Sequence, residues 1–374
     1  MADPSSIKIP ANLLPGDGRF GCGPSKVRPE QVSSLNNVAT SFLGTSHRQA
    51  TVKDVVGEVR SGLAQLFSLP DGYEVLLSNG GTTCFWDAAT FGLIERKSQH
   101  LNFGEFSSKF AKAAKDAPHL EDPEVISAEV GSHPEAVANP DVDLYGLTHN
   151  ETSTGVAMEI RRPAGAEGLV AVDATSGAGG LRVDASQFDC YYFAPQKCFA
   201  SDGGIYLALV SPAAVERIET IAASDRWVPA FFDLKTVLDN SRQNQTYNTP
   251  ALATLWMLNE QTKWMNGLGG LEATASRCDR SAEILYGWAE ASDFASPFVE
   301  NPSQRSHVVG TIDFVDAVDA SVVAKVLRAN GILDTEPYRK LGRNQLRIAM
   351  FPSVDPEDVA TLCGAITHVV GALA

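Results

Sequence analysis

The chain has 374 residues, 44% hydrophobic and 20% charged, with a formal net charge of −15. That composition belongs to a globular protein with core enough for two domains, and the acidic balance argues against a nucleic-acid or anionic-membrane surface. It leaves room for an anionic small molecule, because a few arginines can reverse the potential inside one pocket.

Residues 1–16 are Pro-rich and aperiodic and read as an extended arm. They hold no basic stretch followed by an apolar run, so no signal peptide is visible. A turn cluster, Phe20-Gly21-Cys22-Gly23-Pro24-Ser25, precedes helical patterns at 28–42 and 52–67. A strand at 73–78 is broken by Asn79-Gly80-Gly81, and Thr82-Thr83 opens an apolar helix to about residue 93. Further strands are expected at 99–103, 124–127, 143–148, 169–174, 189–194 and 204–210, with helical or irregular segments between them. This alternation indicates a mostly parallel sheet covered by helices, and the nearly all-apolar runs suit strands buried on both faces. A helix is expected at 211–223, whereas 224–249 is aromatic and polar without clear periodicity. Residues 250–291 are helical in pattern, interrupted at Gly267-Leu268-Gly269-Gly270. A smaller α/β unit follows, with strands at 308–314 and 345–350 and helices at 320–330 and 356–373. The expected division is an arm at 1–16, packed on the small domain or on a partner, a large domain at 17–268 and a small domain at 269–374. No apolar segment approaches the roughly 20 residues of a membrane span. The six cysteines are scattered without a C-x-x-C pair. That is neither a disulfide framework nor a zinc pattern, so no metal is expected and the compartment is read as the reducing cytoplasm.

The candidate chemistry lies where strands end. In Tyr191-Tyr192-Phe193-Ala194-Pro195-Gln196-Lys197, a lysine follows a buried apolar run. Burial disfavours the ammonium form, and a neutral amine is what Schiff-base formation with an aldehyde requires. Lys197 therefore reads as the attachment point of pyridoxal phosphate, or as a lysine snorkelling from a strand end. Asp173, in Val172-Asp173-Ala174, ends the preceding strand at the edge where open α/β sheets bind ligands. It suits a protonated pyridine nitrogen, or it caps the next turn. Ser78-Asn79-Gly80-Gly81-Thr82-Thr83 puts glycines between a strand and a helix, which suits a phosphate at the helix start, though a plain tight turn has the same pattern. Thr148-His149-Asn150-Glu151-Thr152-Ser153-Thr154-Gly155 is a polar cluster after a strand, at the same edge or simply solvated. Gln243-Asn244-Gln245-Thr246-Tyr247-Asn248-Thr249-Pro250 offers short polar side chains to a phosphate, including across a subunit interface, or Thr249 caps a helix. Arg48, Arg339 and Arg347 suit carboxylate and phosphate groups, while Arg343 reads as surface charge.

Together with Gly23-Pro24, Ser46-His47-Arg48 and the closing arginine before an apolar strand, these motifs resemble the fold-type I pyridoxal-phosphate enzymes. Among them the chain is similar to the phosphoserine aminotransferase family, in its actinobacterial branch, over essentially its whole length. The resemblance implies an α/β large domain with a mostly parallel seven-stranded sheet, a smaller C-terminal α/β domain, and a homodimer with shared active sites. It implies that Lys197 carries the cofactor and moves the proton, that Asp173 meets the pyridine nitrogen, that Thr152 bonds the ring hydroxyl and that Phe106 stacks on the ring. Gly81, Thr82 and Gln196 would bind the cofactor phosphate, with Asn248 and Thr249 contributed across the interface. His47 and Arg48, also across the interface, and Arg339 and Arg347 would hold substrate anions, Arg347 taking the α-carboxylate. The implied reaction converts glutamate and 3-phosphohydroxypyruvate to 2-oxoglutarate and O-phosphoserine in serine biosynthesis. Transamination giving 4-phosphohydroxythreonine, in pyridoxine biosynthesis, is a further implied activity.

Three positions depart from the commoner family pattern: Thr82-Thr83 in the phosphate turn, Phe106 where Trp is frequent, and the lack of a His-Arg pair near Tyr338-Arg339. A cysteine desulfurase would need a mobile late cysteine, but Cys363 falls in an apolar helical pattern. An aminotransferase for small uncharged side chains would not need Arg48 and Arg339 beside Arg347. A non-catalytic α/β ligand-binding protein is the alternative from another class. A nucleotide-binding module would lack both G-x-G-x-x-G and a Walker lysine.

Overall fold

The computed structural model describes residues 7–374. The first six residues of the expected arm lie outside the described residues.

Helix α1 (Pro29–Phe42) starts on a proline, whose missing N–H costs nothing there, and Gln31 Oε1 accepts from the Arg28 amide at 2.9 Å. Helix α2 (Ala50–Leu66) buries Val52, Val55, Val56, Val59, Leu63 and Leu66, one face at three- and four-residue spacing. Strand β1 (Glu74–Gly80) leads to α3 (Thr82–Gly92), β2 (Ser98–Asn102), α4 (Ser107–Asp116), β3 (Glu124–Ser127) and β4 (Leu144–Thr148). A short hairpin, β5 (Asn150–Glu151) and β6 (Val156–Ala157), precedes β7 (Leu169–Asp173), β8 (Cys190–Phe193) and β9 (Gly204–Val210). Helices α5 (Pro212–Ala222), α6 (Leu234–Arg242), α7 (Leu252–Gly267) and α8 (Gly270–Glu290) follow. The chain closes with β10 (Ala295–Pro297), β11 (Val309–Phe314), α9 (Ala320–Ala329), β12 (Gln345–Ala349) and α10 (Pro356–Leu373).

The main sheet has the order β1-β9-β8-β7-β4-β2-β3. Strand β9 runs antiparallel to both neighbours, and the ladder from β8 to β3 is parallel. Every residue of β4, β7 and β8 is buried, as helices on both faces require. The two-residue period sorts their side chains. Val170, Val172 and Tyr191 join the core with α2 and α7, whereas Leu169, Ala171 and Tyr192 join the core with α3 to α6. A separate core, with Leu285, Ile312, Val323, Leu346, Ile348, Leu362 and Ile366, fills the space between the β10-β11-β12 sheet and helices α8 to α10. Ile7 and Ile9 are buried in that second core, and the Asn330 side chain pairs with the Ile9 amide at 3.1 Å and the Ile7 carbonyl at 3.0 Å.

Several segments differ from the sequence reading. Strand β1 does not stop at Asn79; pairing with β9 continues to Gly80 opposite Gly204. The 148–155 cluster is not a plain loop, because Asn150 and Glu151 pair with Ala157 and Val156. The aperiodic 224–249 segment contains α6, capped by Asp233 through the Lys235 amide at 2.9 Å. Its apolar face is only Leu234, Val237 and Leu238, too short to register as a period. Helix α7 starts at Leu252 with Ala251 at its cap, so Thr249 does not cap it. Arg347 lies inside β12, within the strand expected at 345–350.

Candidate active site

Strands β7 and β8 are parallel neighbours with Asp173 opposite Tyr192, so both end at one edge of the sheet. Beyond β8 the chain turns back through Pro195 and Gln196, and Lys197 comes to lie 9% exposed. Its Nζ donates to the Cys22 carbonyl at 2.5 Å. Gly23 sits against it with φ +135°, and a β-carbon there would overlap the Lys197 amine. Glycine is thus required at this position by both conformation and space. The turn itself is tied down. Ser25 donates from its amide to the Gln196 carbonyl at 2.9 Å and from its hydroxyl to the Lys197 carbonyl at 2.5 Å. Gln261 reaches the Cys198 carbonyl at 3.3 Å, and Gln31 reaches the Ala200 carbonyl at 3.0 Å. Burial pushes the Lys197 pKa down to about 8; Arg347 adds to this and the Asp173 carboxylate opposes it.

Asp173 is held at both oxygens. Trp86 Nε1 donates to Oδ2 at 2.9 Å, while the Thr175 amide and hydroxyl donate to Oδ1 at 3.0 and 2.6 Å. Burial raises its pKa, and the bonds from Thr175 and Trp86 counter that effect. The Thr175 hydroxyl also lies 2.8 Å from Thr82 Oγ1, joining the start of α3 to the carboxylate. Beside Thr82 there is open space: a β-carbon built on Gly81 would meet nothing within 4 Å. The first amides of α3 have no partner within the helix, which makes this end a place for an anion.

The β5 segment supplies the next wall. Ser176 Oγ lies 2.7 Å from the Thr152 hydroxyl and 2.9 Å from Asn150 Nδ2. Arg347, from β12, donates to the Thr152 carbonyl at 3.2 Å, with its guanidinium 5.3 Å over the Tyr338 ring. Tyr338 in turn is 6.0 Å from the Phe106 ring. Asn150 Oδ1, Gln196 Oε1 and Arg347 Nε are buried without a hydrogen-bond partner. Buried polar groups are normally paired. Orphaned polar atoms, a lysine whose pKa is lowered, a fixed carboxylate and an open helix start are the complement of a phosphorylated pyridine aldehyde, so the residues fit pyridoxal phosphate.

The remaining expected residues lie at the rim. Arg48, Asn248, Thr249 and Arg339 are exposed, and His47 is half-buried. His47 Nδ1 is 3.2 Å from the Thr249 hydroxyl, and Asn79 Nδ2 donates to the Thr249 carbonyl at 2.7 Å. This turn therefore packs beside the phosphate-turn segment of its own chain. The side chains of Arg48 and Arg339 make no hydrogen bond or ion pair among the described residues. Sequence reasoning missed Trp86, Thr175, Ser176 and Ser25. Trp86 was open to inference, since it lies four residues after Thr82 and so on the same helix face.

Residues 25–335 match the family model described as aminotransferase class-V. The chain is 64% identical over 366 residues to a phosphoserine aminotransferase of Rhodococcus jostii, with 98% of each chain covered. It is 62% identical over 363 residues to that of Corynebacterium glutamicum, covering 97% of this chain and 96% of the relative. Its fold is similar to a solved phosphoserine aminotransferase structure from Cytophaga hutchinsonii, with a TM-score of 0.85, 23% identity, and 94% and 99% of the two chains covered. The same holds for the Bacillus circulans subsp. alkalophilus structure, with a TM-score of 0.83, 21% identity, and 96% and 99% covered.

Proposed function

The chain belongs to the class-V aminotransferases, and from that premise we propose that it transfers the amino group of glutamate to 3-phosphohydroxypyruvate, giving 2-oxoglutarate and O-phosphoserine in serine biosynthesis. The observation that carries this reading is the buried pair of Lys197 and Asp173 at the ends of adjacent strands, in a chain so similar to named phosphoserine aminotransferases. Pyridoxal phosphate is the cofactor. When bound, it supplies an aldehyde for the amino group and an electron-withdrawing ring.

The residues divide the work. Asp173, oriented by Trp86 and Thr175, would meet the pyridine nitrogen and favour its protonated form. Gly81, Thr82 and Gln196 would hold the phosphate, Thr152 the ring hydroxyl and Phe106 the face of the ring. Lys197, with its pKa held at about 8, has a substantial neutral fraction near physiological pH. Its Nζ would take the proton from the substrate Cα and hold it for return, which a tethered amine does without a diffusional step. Arg347 takes the substrate α-carboxylate in a two-pronged bond. His47, Arg48 and Arg339 hold the second anionic group that both substrates carry.

The wider assignments belong to the same reading. A homodimer would supply His47, Arg48, Asn248 and Thr249 to the opposite site, which gives the exposed Arg48, Asn248 and Thr249 side chains a target. The division into an arm at 1–16, a large domain at 17–268 and a small domain at 269–374 is supported by the core of β10–β12 with α8–α10, which is separate from the cores on the two faces of the main sheet. A cytoplasmic location is supported by six free cysteines; no helix among the described residues is long and apolar enough to cross a membrane. Transamination giving 4-phosphohydroxythreonine is a secondary proposal, since the keto acid that would accept the amino group has the same pair of anionic groups.

The test is optical. The purified protein reconstituted with pyridoxal phosphate shows a visible absorbance band that glutamate bleaches. Lys197→Arg, folded by circular dichroism, shows neither the band nor the bleaching. A protein that stays colourless with the cofactor overturns the reading.

A further inference from the structure

Glu151 is fully buried, and neither the catalytic roles above nor the sheet needs a carboxylate there. Its side chain reaches out of the β5 hairpin to the loop that carries Phe106. Oε2 accepts from the Phe106 amide at 3.0 Å and the Ser107 amide at 2.8 Å. Oε1 accepts from the Ser153 amide at 3.1 Å and the Ser153 hydroxyl at 2.7 Å. The Ser153 hydroxyl also receives the Glu105 amide at 3.1 Å. The carboxylate lies so close to Gly104 that a β-carbon on that residue would overlap it. Side chain and loop are therefore fitted to each other.

The arrangement specifies charge as well as shape. Three of the four contacts come from backbone amides, which can only donate, and Oε2 faces two of them, so the ionised carboxylate is the form these partners satisfy best. Oε2 also sits at the first amides of α4, where the helix dipole favours an anion. Burial pushes the carboxyl pKa up, and the bonds from Ser107 and Ser153 resist that shift. Of the two neighbours in sequence, Thr152 is bonded to Ser176 and Arg347, so the hairpin that presents the carboxylate is anchored to the site.

We infer that Glu151 is a positioning residue: its buried carboxylate pegs the 104–107 loop to the β5 hairpin and so fixes the Phe106 ring over the cofactor. A phenylalanine offers less stacking area than tryptophan, so more depends on its being held in place. This inference rests on the proposed role of Phe106, and the experiment separates the two.

Glu151→Gln keeps the shape but turns an amide NH2 toward existing donors. The dissociation constant for pyridoxal phosphate is measured by titrating the cofactor-free protein, together with the visible circular dichroism of the bound cofactor. The four proteins compared are wild type, Glu151→Gln, Phe106→Ala and the double variant. Glu151→Gln is expected to weaken cofactor binding about ten-fold and to reduce the visible dichroism. In the Phe106→Ala background the same substitution is expected to change binding less than two-fold, because its effect passes through the ring. Equal weakening in both backgrounds overturns the inference while leaving Phe106 in its role. If Phe106→Ala itself does not weaken binding, the role of Phe106 fails and the inference with it. Should Glu151→Gln not fold, Ser153→Ala removes one of the four donors and is held to the same coupling test at about three-fold. Additivity there contradicts the inference equally.

Discussion

The inner wall of the site and its rim are built on opposite terms. On the inner wall, Asp173 has three donors and the Lys197 turn is bonded at the carbonyls of residues 196, 197, 198 and 200. At the rim, Arg48 and Arg339 stand in solvent and Thr249 is exposed beside His47. The contrast matches the two tasks. On the proposed roles, a cofactor that stays for many turnovers would be held by fixed groups, whereas substrates that come and go would be met by side chains whose partners arrive with them. Arg347 belongs to both regions, buried at Nε yet drawn from the small C-terminal sheet.

The comparison breaks most readily at Lys197. Lys197→Arg keeps the charge but cannot bond covalently to the aldehyde, and steady-state turnover is expected to fall at least about 10⁴-fold. Asp173→Asn leaves the wall's shape and removes its charge. A loss of roughly 10²- to 10³-fold in kcat is expected, with weaker cofactor binding by titration; unchanged kcat would show that the charge of the wall is idle. Arg347→Ala should raise KM for glutamate and for the keto acid together by about 10²-fold, since both present an α-carboxylate. A change confined to one substrate would move Arg347 from the wall to the rim.

Acid separates the two regions by stability. His149, bonded to Tyr191 behind the wall at 2.8 Å, has its pKa pushed down to about 4 by burial. His100 is likewise pushed down to about 3 by burial. Each folded pKa lies below the unfolded value of about 6.5. The neutral rings therefore contribute stability that is present above pH 6.5 and lost as the pH falls toward those values, at about 1.4 kcal/mol per pH unit for each. Denaturant midpoints measured from pH 7 to pH 4.5 should fall, and His149→Gln should flatten part of that slope. An unchanged slope in His149→Gln would place the acid sensitivity elsewhere. The smallest effects belong to the rim: Arg48→Ala should raise KM for the phosphorylated acceptor about ten-fold and leave pyruvate untouched, with Arg339→Ala doing less.

The two strand-end residues of the wall were legible in the sequence pattern itself, the rim positions were named through the family resemblance, and the wall's supporting residues were not read at all. Lys197 and Asp173 follow apolar runs that announce buried strands, and strand ends are where such folds place chemistry. Trp86 and Ser25 were invisible because their partners, Asp173 and the Lys197 carbonyl, are distant in sequence. Glu151 looked like part of a polar loop, since a two-residue strand leaves no period to read. Helix α6 was lost because its three apolar residues span barely one turn. Strand β1 ran past its Asn-Gly signal because backbone pairing with β9 outweighs local turn preference.

The central claim is that this lysine serves a doubly anionic acceptor. It is tested most directly by kcat/KM with glutamate as donor, comparing 3-phosphohydroxypyruvate with pyruvate, which lacks the second anion. A preference of at least about 10²-fold for the phosphorylated acceptor is expected, since a site built for a charged group rejects an analogue without it. Equal values for the two acceptors would contradict it.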